Sequence, residues 1–134
     1  MRTKARETLF KLVFSSQFTG SVENNLKRSL YKIENLDEND IKYCDDILEI
    51  LKNNVENISS VIDKHSQLFP EKRIFPADKS VLQIAISEIL YYGDVPDAVS
   101  VNEAANIVSK YSTEKSANFV SGILSEIIRE KLNV

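Results

Sequence analysis

The stretch Asp78-Lys79-Ser80-Val81-Leu82-Gln83-Ile84-Ala85-Ile86-Ser87-Glu88-Ile89-Leu90-Tyr91-Tyr92 decides the fold. Val81, Leu82, Ile84, Ala85, Ile86, Ile89 and Leu90 cover most sides of a 3.6-residue helix rather than one stripe. A helix apolar most of the way round must be covered by neighbours on most sides, so 78–92 predicts the central helix of the molecule. Gly93-Asp94-Val95-Pro96 ends it, and Pro70 and Pro76 mark 68–77 as a connection leading into it.

The segments on either side are also helical. C-terminal to the centre, Ser100-Val101-Asn102-Glu103 reads as a capping box that opens a helix with the face Ala104, Ile107, Val108 and Tyr111. Ser112-Thr113 interrupts, and a last helix carries Phe119, Val120, Ile123, Leu124, Ile127 and Ile128 to about Lys131. Gly122 inside it costs about 1 kcal/mol relative to Ala, so a close backbone approach is the expected reason for it. N-terminal to the centre, Ile41, Cys44, Leu48, Leu51, Val55, Ile58, Ile62 and His65 step by three and four in a 3.5-residue seam. That seam reads as one long helix across the core, with a coiled-coil homodimer as the alternative. Val22, Leu26, Leu30 and Ile33 mark a shorter helix before it.

Residues 3–18 carry one apolar stripe, Ala5, Leu9, Leu12 and Val13, and a second line beside it, Phe10, Phe14 and Phe18. A helix with two stripes packs on two neighbours or offers one edge to a partner. The fold expected is all-α, about six or seven helices in a compact bundle, with residues 1–134 forming a single domain.

Composition agrees. The 134 residues include 3 Gly and 3 Pro, too few for the turns of a many-stranded sandwich or barrel. Hydrophobic residues make up 43% and charged residues 28%, a globular balance. A net charge of −3 excludes a strongly basic protein that grips nucleic acid by phosphate neutralisation alone. One Cys allows no internal disulfide, and with one His it excludes every standard Cys/His zinc site. Met1 to Arg6 carries three basic residues and no signal-peptide core, and no apolar run reaches the ~20 residues that span a bilayer. A cytoplasmic protein is expected, with no membrane association.

Catalytic chemistry finds little support. Cys44 and His65 are the only candidates for a nucleophilic pair, and they lie on one predicted helix, roughly 30 Å apart at 1.5 Å per residue. There is no GxGxxG or GxxxxGK[ST], and the acids between Glu34 and Glu49 read as a solvated face. No enzyme activity, cofactor or metal is expected.

Two clusters invite a ligand. Arg2, Lys4, Arg6 and Lys11 face only Glu7, and basic residues in a first helical turn oppose the helix dipole. Helix stability does not explain them. An incoming phosphate does, although idle surface charge remains the alternative. Lys110 to Phe119 gathers hydroxyls, two Lys, an amide and a ring where a helix begins, the mixture that binds single-stranded RNA. A capped helix with Phe119 wholly in the core is the alternative there.

At these residues the chain resembles the NusB family of bacterial transcription antitermination factors. The likeness is carried by Lys4-Ala5-Arg6-Glu7 with Phe14-Ser15, by Asp78 to Ala85 with Asp94-Val95-Pro96, and by Val101-Asn102-Glu103-Ala104 with Asn118-Phe119-Val120-Ser121-Gly122-Ile123-Leu124. The resemblance implies two packed helical halves. It also implies binding of the boxA element of ribosomal RNA leader transcripts, jointly with the ribosomal protein NusE and within a transcribing RNA polymerase complex that holds other Nus factors. Arg2, Lys4 and Arg6 match the family's Arg-rich RNA-contact segment. Asn118 and Phe119 match its second RNA-contact region, to which Lys115 adds a charge where an acid can occur. Phe14 and Asp78 match positions facing the ribosomal protein. Thr3 and Asn118 stand where the family often has Arg and Lys, so RNA binding without the partner is expected to be weak. Two other readings stay open on the residues alone: a helical subunit of an RNA-modifying enzyme, and a dimerisation scaffold without RNA.

Overall fold

A computed structural model describes residues 2–66 and 73–133. Among them are six helices and no strand: α1 (Arg2–Thr19), α2 (Asn24–Ile33), α3 (Glu38–His65), α4 (Pro76–Ile86), α5 (Asp97–Tyr111) and α6 (Glu114–Leu132). A π-helical stretch, Ser87–Tyr92, continues α4 directly. The all-α expectation holds, and α4 is the predicted centre, touching α1, α3, α5 and α6. Every residue from Ser80 to Ile89 is buried.

Local chemistry sets most of the ends. Asp37 caps α3 by accepting from the Asp40 amide at 2.8 Å, with Glu38 and Asp40 in the first turn and Lys64 and His65 in the last, as the helix dipole favours. Thr113 caps α6 by accepting from the Ser116 amide at 3.0 Å. Pro76 opens α4 at its first turn, where a missing N–H costs nothing. Gly93 ends the π-helical stretch at φ 71°, a left-handed conformation that glycine adopts without penalty.

Three expectations are corrected. The capping box at Ser100 does not form: α5 starts four residues earlier, with Pro96 rather than Ser100 at its N-cap, so Ser100 and Glu103 lie inside the helix and turn their side chains to other partners. The seam of α3 is not unbroken. Asn54 leaves helical geometry at φ −127°, ψ 21°, donating its side-chain amide to the Ile50 carbonyl at 2.9 Å, and beyond this kink Val55 is 51% exposed while Ile58 and Ile62 stay buried. Gly122 has no close neighbour among the described residues, because a Cβ added there would meet none of their atoms within 4 Å. Of the predicted connection 68–77, residues 68–72 lie outside the described residues, and Pro76 and Ala77 already belong to α4.

The core joins both halves of the chain. Leu9 and Leu12 of α1, Tyr43, Ile47, Ile58 and Ile62 of α3, Leu82 and Ile86 of α4 and Leu124 of α6 are all buried in one cluster. No described helix is long and apolar enough to cross a membrane.

Candidate nucleic-acid interface

Glu88 is the only charged residue between Val81 and Tyr92, and it is 1% exposed. A buried carboxylate needs charged or hydrogen-bonding partners, and the fold brings them from three helices. Arg6 of α1 donates Nε to Oε2 at 2.8 Å and Nη2 to Oε1 at 2.9 Å. Tyr43 of α3 donates its hydroxyl to Oε2, and Ser100 of α5 donates to Oε1 at 3.0 Å. Arg6 gives its remaining arm, Nη1, to Glu103 at 3.1 Å, and Thr3 donates to the same oxygen at 2.6 Å. Burial alone would lower the Arg6 pKa, but the hydrogen bond and charge of Glu88, with Tyr43 and Glu103, raise it. Burial and then the Glu88 charge push the Tyr43 phenol well up.

This geometry corrects the reading of Arg6. The four-residue spacing does put Arg2 and Arg6 on one face, since their guanidinium carbons lie 4.8 and 5.5 Å from the centre of the Tyr43 ring. That face turns toward α3, and Arg6, 4% exposed, is an anchor rather than an open phosphate contact. Arg2 is half-buried and Lys4 is exposed. Sequence reasoning does not gather Glu88, Tyr43, Ser100 and Glu103 into one group. The signal that could have found them is the lone acid in an otherwise apolar central helix.

Further along α1, Glu7 accepts from Lys110 Nζ at 2.6 Å and from the Tyr111 hydroxyl, contacts that hold its carboxyl below the usual value. The Tyr111 ring stacks on Phe10, centroids 4.9 Å apart, and Phe10 stacks on Phe14, which meets Phe18 edge-on. The second apolar line of α1 therefore emerges from the core step by step. Phe10 is buried, Phe14 half-buried and Phe18 67% exposed.

The starts of α4 and α6 enclose a cavity of about 270 Å³, lined by Arg73, Ile74, Phe75, Asp78, Thr113, Lys115, Ser116 and Phe119. It unites residues that the sequence placed in separate groups, Asp78 on the partner face and Lys115 and Phe119 on the RNA face. Phe119 is half-buried against the core, and Asn118 beside it is exposed and outside the lining. Asp78, one of the lining residues, is buried at 3% exposure.

The catalytic pair fails on geometry, as the helix reading predicts. Cys44 and His65 lie on α3, with Cys44 Sγ donating to the Ala5 carbonyl at 3.4 Å and His65 Nε2 3.0 Å from Glu130. Burial, then Asp45 and Asp40, push the Cys44 thiol up to about 12, far from a reactive thiolate. The described residues contain no group of three or more His, Cys, Asp or Glu able to hold a metal.

The model of the NusB family matches residues 3–129, nearly the whole chain. The chain belongs to the NusB family. The transcription antitermination protein NusB of Finegoldia magna is 30% identical over 132 residues, covering 98% of this chain and 96% of its own. That of Natranaerobius thermophilus is 33% identical over 135 residues, covering 96% and 95%. The crystal form of NusB from T. maritima superposes with a TM-score of 0.86 at 30% identity, over 97% of this chain and 92% of that one. A structure of the antitermination factors NusB and NusE in complex with double-stranded RNA shares the fold, with a TM-score of 0.86 at 22% identity over 96% of both chains. Both of these relatives are transcription antitermination proteins.

Proposed function

We propose that this NusB-family chain binds boxA-type single-stranded RNA in ribosomal RNA leader transcripts jointly with the ribosomal protein NusE, as a cytoplasmic component of the transcribing RNA polymerase complex with the other Nus factors. The observation that carries the reading is the grouping at the start of α6, where exposed Lys115 and Asn118 flank the half-buried ring of Phe119. Charge, amide and ring are what an unpaired nucleotide needs for its phosphate, its base edge and its base face. Lys4, and Arg2 beside it, add phosphate contacts at the start of α1. Arg6 acts behind them by holding that end of α1 to Glu88. The NusB and NusE complex with RNA, on the same fold, supports this choice of partners.

NusE docks across the emerging aromatic line at Phe14, with Phe18 beside it. Asp78, matched to the same partner face, lines the cavity. The chain is net −3, so a basic partner supplies phosphate contacts that it lacks at Thr3 and Asn118. Titration of boxA RNA with and without NusE, at matched salt, tests the mechanism. NusE should tighten RNA by the same factor by which RNA tightens NusE. Phe14→Asp should abolish that gain and leave the weak RNA binding of the chain alone. Equal RNA affinity with and without NusE would overturn joint binding.

A further inference from the structure

Arg2 and Arg6 lie over one ring but are held differently. Arg6 spends its fork on carboxylates, two arms on Glu88 and one on Glu103. Arg2 makes no hydrogen bond or ion pair with any described residue, and its guanidinium carbon stands 4.8 Å from the centre of the Tyr43 ring. An aromatic face attracts a cation without taking up its N–H groups as a carboxylate does. We infer that Tyr43, on α3, is a positioning residue for RNA: it holds the half-buried guanidinium of Arg2 in place with its donors unspent, ready for a forked contact to one phosphate. The inference rests on the RNA-binding reading above and adds to it the residue that aims Arg2.

The ring is fixed from three sides. Tyr43 is fully buried, its hydroxyl donates to Glu88, and Tyr92 of the π-helical stretch meets it edge-on with centroids 5.7 Å apart. Donation to a carboxylate enriches the phenol ring in electrons, and the partial burial of Arg2 removes competing water, so both strengthen the hold on the cation. Arg6 does not depend on this ring, because Glu88 and Glu103 hold it as well. Arg2 does, since a cation in the first turn of α1 gains nothing from the helix dipole. A free surface Arg samples many rotamers, and ordering it on RNA would cost affinity; over Tyr43 it is ordered beforehand. Core packing accounts for the burial of Tyr43, whereas the unspent donors of Arg2 above it point to an anionic ligand. A phosphate oxygen pair matches that fork.

The test titrates labelled boxA-type single-stranded RNA into the full chain with NusE present, at several salt concentrations. Arg2→Gln should weaken binding and lower the salt slope by about one, the contribution of one phosphate. Arg2→Lys keeps the charge but not the fork, so it should keep the slope and bind roughly fivefold more weakly. Tyr43→Leu removes the ring. In protein shown to be folded by circular dichroism it should bind roughly fivefold more weakly, and adding Arg2→Gln should then cost clearly less than it does in the wild type. Tyr43→Phe keeps the ring and should restore binding to within about twofold of the wild type, although it melts lower because Glu88 loses a donor. A lower melting temperature by itself creates no coupling between positions 2 and 43, so the cycle separates positioning from a structural role. Wild-type affinity in Arg2→Lys, additive losses in Tyr43→Leu and Arg2→Gln, or equal losses in Tyr43→Phe and Tyr43→Leu overturn the inference while RNA binding stands. If Tyr43→Leu does not fold, Arg2→Lys and Tyr43→Phe decide alone, and wild-type binding in the first or a fivefold loss in the second overturns it. Failure of the wild type to bind this RNA overturns the RNA-binding reading itself, and this inference with it.

Discussion

Arg6 and Glu88, 82 residues apart in sequence, form a two-armed ion pair at 2.8 and 2.9 Å that is almost sealed from water. It ties the first helix to the end of the central one, and through Glu103 and Thr3 it fixes the end of α1 from which Lys4 projects. Removing one partner leaves the other as an uncompensated buried charge. Arg6→Met or Glu88→Met alone should therefore cost about 3–5 kcal/mol of stability. The double replacement should cost clearly less than the sum. Denaturant unfolding of the four proteins checks it, and additive losses would mean that the pair does not act as a unit.

Phosphate contacts at the start of α1 belong to the side chains left outside this network. Changing Arg2 and Lys4 together to Ala should weaken RNA binding and reduce the salt slope by roughly one for each phosphate no longer neutralised. Arg6→Lys should lower stability, because Lys cannot reproduce the fork, yet leave the salt slope of the folded protein unchanged. A slope that follows Arg6 and ignores Arg2 and Lys4 would reverse these roles.

Gly122 offers a gain. It lies in the middle of α6 with open space where a Cβ would stand. Gly122→Ala should raise stability by about 1 kcal/mol through helix propensity alone, seen as a higher denaturant midpoint with an unchanged m-value. A lower midpoint would point to a neighbour that the structure does not place there.

Glu7 makes part of the α1–α5 contact sensitive to acid. Lys110, then Tyr111, hold its folded pKa below the ordinary 4.5. A depressed carboxyl contributes stability above its unfolded pKa and loses it as pH falls through the folded value. Glu7→Gln should thus be less stable than wild type at neutral pH. The gap should close on acidification below about 4.5. A pH-independent gap would assign the effect of Glu7 to packing.

Much of the candidate interface is legible one residue at a time. The exposed Lys4, Lys115 and Asn118 lie where periodicity leaves a helix uncovered, and Phe119 is divided between core and surface as its place at a helix start suggests. Arg6 is not legible in this way, because charge patterning treats a basic residue as solvated, and only a carboxylate arriving from a distant helix turns it inward. Ser100 and Glu103 mislead for a related reason: their spacing fits a cap, but Pro96 opens the helix first and frees both side chains for Glu88 and Arg6.

By itself the sequence determined the order of the helices and the central place of 78–92, because apolar periodicity is a local property and burial follows from it. It determined as well that Cys44 and His65 cannot meet, since both ride one helix. Tertiary structure alone decided which charges are spent inside, that the seam breaks outward at Val55, and that Asp78, Lys115 and Phe119 line one cavity. Those outcomes depend on the approach of segments far apart in the chain, and pairing energies between such segments have no local pattern to announce them.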